Sequence, residues 1–258
     1  MHWTAELVDM VRIVTAIMVR GGTTRYAGSK FGYLWAFIEP LMLVAIFAVL
    51  NMYIRDRVML GENMLVFVLT GFMTVRMSLA IARQVMVSIT QDRTLLAFPS
   101  IAPIHLLVAN IVGEAITMTV VLLIFYALLV QVSDVATIAD PVMFTTAIGA
   151  TLLLAVGFGA VLAPLAIVWS RLPRLFGFLS LPLLLCSGIF FIPAMMEPNV
   201  LNVLVWNPLL HCVEWFREAL YLDYVGVLDR SYPLLFGTAY LFLGIVLTRK
   251  LGSRSTVN

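Results

Sequence analysis

Between Leu34 and Thr248 the chain runs as long apolar blocks separated by short polar breaks, and the breaks alternate between richer and poorer in Arg and Lys. A bilayer core is about 30 Å thick and takes roughly 20 apolar residues to cross as a helix. The blocks approach that length and are continuous, whereas barrel strands alternate apolar and polar residues with period two. The expected fold is therefore all-α and polytopic. Six spans are placed near Leu34–Ile54, Met64–Ala82, Ile104–Val130, Val142–Trp169, Leu175–Ile192 and Tyr232–Thr248. Composition agrees: 62% of residues are hydrophobic and 12% charged, against about 45–50% and ~25% in soluble domains.

Charge sets the orientation. Arg12, Arg20, Arg25, Lys30, Arg83, Arg93, Arg171, Arg174, Arg249, Lys250 and Arg254 fall on one side of six spans, and Arg55, Arg57, Arg217 and Arg230 on the other. Basic residues are retained in the cytoplasm, so both termini are expected there. Residues 1–33 read as a cytoplasmic entry segment, 34–192 as spans one to five, 193–231 as an external loop, and 232–258 as the last span and tail. In the entry segment Leu7, Met10, Val11, Val14, Ile17 and Met18 recur at helical spacing among Glu6, Asp9 and Arg12. This predicts an amphipathic helix, either lying on the cytoplasmic leaflet or packed on the protein itself. No compact apolar core with a small-residue cleavage site precedes Gly32, so the first span is expected to serve as insertion signal.

Several functions find no residues to carry them. A net charge of +2 does not point to nucleic acid. No G-x-x-x-x-G-K-[ST] loop is present, so nucleotide binding by that route is not expected. His2, His105 and His211 are scattered, and Cys186 and Cys212 have neither a metal spacing nor the setting of a disulfide. No metal site, catalytic cluster or cofactor is expected in this chain.

Two segments stand out. Arg25-Tyr-Ala-Gly-Ser-Lys-Phe-Gly-Tyr-Leu-Trp-Ala-Phe-Ile-Glu-Pro40 carries basic and aromatic residues into the first span. Ser187–Tyr224 is cut by Pro193, Pro198 and Pro208 into short apolar pieces, Leu201–Trp206 and Leu209–Leu222. Fourteen helical residues reach only about 21 Å, so these pieces are expected as a re-entrant helical pair before the last span, with protein or water meeting their free backbone groups. The S-K-F-G-Y-L-W…E-P and W-N-P-L…E-W-F-R-E-A-L stretches resemble the permease subunit of capsule-polysaccharide ABC exporters, the KpsM-type branch of the ABC-2 family. The resemblance implies a homodimeric permease for a lipid-linked polysaccharide, served by two copies of a separate ATPase that binds ATP and Mg. It also implies residence in the bacterial inner membrane and a periplasmic co-polymerase or outer-membrane export component as partner. O-antigen, teichoic acid or a small amphiphile as cargo, and a non-transporting scaffold for glycan assembly, remain as alternatives.

The hydroxyls of a polysaccharide cost several kcal/mol each if left unpaired in hydrocarbon, so a channel needs polar groups, and aromatic faces suit sugar rings. Candidate aromatics are Tyr33, Trp35, Phe37, Phe190 and Phe191, with Trp206, Trp215, Phe216 and Tyr221 further on; an interfacial aromatic belt is the other reading. Arg25 and Lys30 suit an anionic glycan or serve orientation alone, and Glu39 suits the channel or a helix end. Arg76 in span two and Glu114 in span three lie at similar depth, which predicts that they pair or face the channel together. Gly149, Gly157 and Gly159 with Ala155 and Ala160 predict a close-packing face on span four. By the resemblance, the Gln91–Pro99 loop carries the ATPase coupling helix, with Asp92 and Arg93 as polar contacts and Leu95, Leu96 and Phe98 as apolar ones.

Overall fold

The computed structural model describes residues 2–27, 38, 42, 46, 64–132, 138–221 and 224–251. Within them the secondary structure is wholly helical: α1 (His2–Ala27), α2 (Met64–Gln91), a 3₁₀ turn (Arg93–Ala97), α3 (Pro103–Val132), α4 (Pro141–Val168), α5 (Leu172–Leu185), a second 3₁₀ turn (Pro193–Met195), α6 (Pro198–Leu204), α7 (Pro208–Leu220) and α8 (Ser231–Leu251). The predicted first span lies outside the described residues.

Four helices, α2, α3, α4 and α8, are long and apolar enough to cross a membrane. At 1.5 Å per residue the 28 residues of α2 reach about 42 Å. Apolar residues surround α4 on every face, which is the pattern of a helix without a solvent side, and α2 is buried along most of its length.

Close approaches give the topology. Ser78 and Leu79 share a cavity wall with Leu154 and Ala155, while Ala82 meets Gly159 further along both helices. Likewise Gly237 meets Leu153 and Gly244 meets Ala160. Helices α2, α4 and α8 thus run in one sense. The opposite sense belongs to α3, whose Asn110 bonds Gln84 near the end of α2 and whose Tyr126 packs on Phe144 at the start of α4. One pole of the bundle holds the first 3₁₀ turn and the C-terminal ends of α2, α4 and α8. The other holds α7 and the starts of α2, α4 and α8.

The second predicted boundary of span five needs correcting. Helix α5 ends at Leu185, and residues 186–192 are not helical. Pro182 removes a backbone donor near the end, and Gly188 takes a φ of 76°, the left-handed region that glycine enters without steric cost. Ser187, Gly188 and Ile189 are nonetheless buried.

α1 packs on the protein through one face. Val14 and Ile17 are buried in a cluster with Leu95, Leu106 and Ala109 of the first 3₁₀ turn and α3, while Val8, Val11 and Val19 remain exposed.

Candidate functional site

A groove of about 740 Å³ opens between α2, α3 and α5. Its polar wall is a stripe along α2, made of Arg76, Arg83, Gln84 and Gln91, faced by Glu114 from α3 and Ser180 from α5. Seven residues separate Arg76 from Arg83 and Gln84 from Gln91, about two helical turns, which places each pair on one face. Arg76 is half-buried and Glu114 is buried, so the predicted companions share one groove. Phe72 and Phe176 supply aromatic surface beside them.

The groove is tied to the first 3₁₀ turn by hydrogen bonds. Gln84 Nε2 donates to Gln91 Oε1 at 3.4 Å and to Asn110 Oδ1 at 3.3 Å. Asn110 Nδ2 donates to Asp92 Oδ2 at 3.3 Å and to the Leu106 carbonyl at 2.9 Å. Asp92, expected as a contact to a partner, is thus engaged inside the chain. Leu95 is buried against α1 and α3, and Leu96 is partly buried. The surface this turn presents outward is Arg93, Thr94, Ala97, Phe98 and Pro99, with Phe98 58% exposed. Sequence reading passed over Gln84, Asn110 and Ser180, and took Arg83 only as a basic residue of a cytoplasmic break. The available signal was the seven-residue spacing of Arg76 to Arg83 and Gln84 to Gln91, which runs past the expected end of span two.

A second polar centre sits at the opposite pole. Arg217 and Glu214, one turn apart on α7, are both fully buried and bridge at 3.0 Å. The second terminal nitrogen of Arg217 donates to the Gly188 carbonyl at 2.7 Å, and the guanidinium stands 3.5 Å from the Phe67 ring centre. The Glu214 carboxylate accepts from Tyr224 OH, 2.8 Å to each oxygen, and from the Val227 backbone N–H at 3.2 Å. Arg217 therefore satisfies the irregular backbone after α5, as a non-helical segment deep in an apolar protein requires. Its place among the loop charges is corrected: within the described residues of that pole, Arg230 is the exposed basic side chain.

The remaining predicted residues separate. Phe216 is buried in an aromatic cluster, stacked on Tyr126 at 6.1 Å and edge-on to Phe144 at 5.4 Å. Trp215 is buried, whereas Tyr221, Phe190 and Phe191 are half-buried. Trp206 is exposed. Arg25 falls in the last turns of α1, and Lys30, Tyr33, Trp35, Phe37 and Glu39 lie outside the described residues. Among the described residues no cluster of His, Cys, Asp or Glu is placed to hold a metal.

Known proteins are similar in sequence along nearly the whole chain. A capsule polysaccharide export inner-membrane protein of Haemophilus influenzae, BexB, is 24% identical over 239 residues, covering 92% of this chain and 90% of its own. CtrC of Neisseria meningitidis serogroup B, of the same description, is 23% identical over 240 residues, covering 93% and 91%. The polysialic acid transport protein KpsM of Escherichia coli is 25% identical over 241 residues, covering 92% of each. Residues 14–221 match the family described as ABC-2 type transporter, and the chain belongs to that family.

Proposed function

We propose that the chain is the membrane subunit of an exporter that moves a lipid-linked, anionic capsular polysaccharide from cytoplasm to periplasm. Two copies form the channel, and two copies of a separate ATPase supply the energy. The observation that carries this reading is the groove on α2 and α3, where two arginines, two glutamines and a glutamate line one wall inside an apolar bundle. Charges within a membrane are costly and face an interior or a water-filled passage. Hydroxyls bond the amides and carboxylate, and sugar carboxylates bond Arg76 and Arg83. The relatives named for polysaccharide export support the cargo.

The chain then crosses the membrane six times, with α1 at the cytoplasmic leaflet and α6–α7 as the re-entrant pair. Both termini are cytoplasmic. The distribution of exposed basic residues supports this orientation: Arg93, Arg171, Arg249 and Lys250 cluster at the pole of the first 3₁₀ turn. There Phe98 and Arg93 offer the ATPase an apolar and a charged contact. Movement of that turn reaches the groove through Asp92, Asn110 and Gln84. Nucleotide drives transport to the extent that the two conformations differ in affinity for the glycan. A periplasmic or outer-membrane component receives the polymer at the far pole.

The test is complementation. A capsule-producing strain lacking its permease receives this chain with its own ATPase, and surface glycan is quantified. Arg76→Gln with Arg83→Gln is expected to cut surface glycan about tenfold or more at unchanged protein level, the scale of one to two lost charge-assisted bonds. Wild-type surface glycan from the double variant would remove the groove from the transport path.

A further inference from the structure

A cleft of about 550 Å³ lies at the pole away from the first 3₁₀ turn, between α6, α7 and the loop into α8. That is within the size of small-ligand sites, about 300–1,000 Å³, whose walls are mostly apolar or aromatic with a few placed polar groups. Trp206, Tyr232, Val205 and Leu228 form the apolar part, and Asn202 and Asp229 the polar part.

The wall is built rather than incidental. Trp206 is 75% exposed, yet its carbonyl accepts a bond from Tyr232 OH at 3.2 Å, which fixes its backbone to α8. The Tyr232 ring packs on His211 at 5.0 Å and on Phe236 at 4.5 Å. His211 spends both ring nitrogens on the frame. Nδ1 accepts from the Asp229 backbone N–H at 3.2 Å, which assigns the proton to Nε2, donating to the Val205 carbonyl at 2.9 Å. Asp229 accepts the N–H and hydroxyl of Ser231, both on Oδ1. Those bonds hold its carboxyl below the usual range, so it is ionised at neutral pH. Asp229 and Asn202 are both exposed at the cleft.

We propose that this cleft is a binding subsite for an uncharged pyranose unit of the exported glycan. The apolar face of the ring packs on the Trp206 indole, and ring hydroxyls donate to Asp229 and bond the Asn202 amide. Charge sets the selectivity. Among the described residues the wall holds one carboxylate and no Arg or Lys, so a uronic acid unit is repelled where the polar groove at the other pole attracts it. The polymer then meets a site for its acidic units first and a site for its neutral units later. The assignment rests on the exporter reading, since that is what brings glycan to this pole.

The test uses the full permease–ATPase complex in lipid nanodiscs. Cellotetraose serves as neutral probe and tetragalacturonate as acidic probe, with binding followed by saturation-transfer NMR and titration. Cellotetraose is expected to bind saturably, about tenfold more weakly to Trp206→Ala and within about threefold of wild type for Trp206→Tyr, which keeps an aromatic face. The Trp206-dependent part of tetragalacturonate binding, the part lost in Trp206→Ala, is expected to be at least about tenfold weaker than that of cellotetraose, with Asp229→Asn narrowing that gap. No saturable cellotetraose binding, equal binding by Trp206→Ala, or a preference for tetragalacturonate at this site overturns the proposal. Trp206 is exposed, so its replacement leaves the fold intact. If the subsite fails while wild-type complementation succeeds, the exporter reading stands; if complementation fails too, both fall.

Discussion

Arg217 touches four separated parts of the chain: Glu214 on its own helix, the bend at Gly188, Phe67 on α2 and, through Glu214, the loop at Tyr224 and Val227. Taking a buried charge out of water costs several kcal/mol, and the cost is met when partners satisfy its remaining donors. Removing one member strands the other, so Arg217→Met is expected to destabilise by about 3–5 kcal/mol. Arg217→Met with Glu214→Gln is expected to recover part of that loss, because both charges leave together. Thermal unfolding of the four proteins in detergent reads the cycle. Additive losses in the double variant would mean that the pair is not coupled. The i, i+3 spacing of Glu214 and Arg217 was plain in the sequence, but their burial was not. An arginine in a proline-broken stretch reads as a loop charge, and what buries it is tertiary: Phe67 lies 150 residues earlier in the chain.

Helices carry the next set of outcomes. The small-residue face expected on α4 divides in the structure. Gly157 meets α8 at Gly237, and Gly159 meets α2, where an added Cβ would lie 2.7 Å from Val85 Cβ and 2.8 Å from the Ala82 carbonyl oxygen. Gly149 has open space around it. Gly159→Ala is therefore expected to push α4 from α2 and destabilise by about 1–3 kcal/mol, the range for overpacking. Gly149→Ala removes backbone freedom without a clash and is expected to stabilise by about 0.5–1 kcal/mol. The two substitutions, alike on paper, should shift the unfolding temperature in opposite directions; equal shifts would contradict the packing described. Helix existence was legible because long apolar blocks have few alternatives, and α2, α3, α4 and α8 fall where the blocks do. The end of α5 was not, because an apolar run through Ser187 and Gly188 carries no polar break to mark where the helix stops. The groove was half legible: Arg76 and Glu114 announced themselves as charges in apolar blocks, whereas Gln84, just past the expected end of span two, and Asn110, inside span three, were passed over as neutral polar residues.

For the whole molecule, the described bundle has a polar wall that runs toward one pole and an aromatic cleft at the other. The first 3₁₀ turn is hydrogen-bonded into that wall rather than hanging from it. In the exporter proposed above, a partner that moves the turn would move the groove with it. The most direct measurement reconstitutes the chain with its ATPase in liposomes and follows a labelled lipid-linked glycan from the ATPase side into the lumen. The account predicts glycan entry that requires ATP, both proteins and an intact Arg76–Arg83 wall, with no ATP hydrolysis by this chain alone. Glycan entry at the same rate without the ATPase, or ATP hydrolysis by the chain on its own, would contradict it.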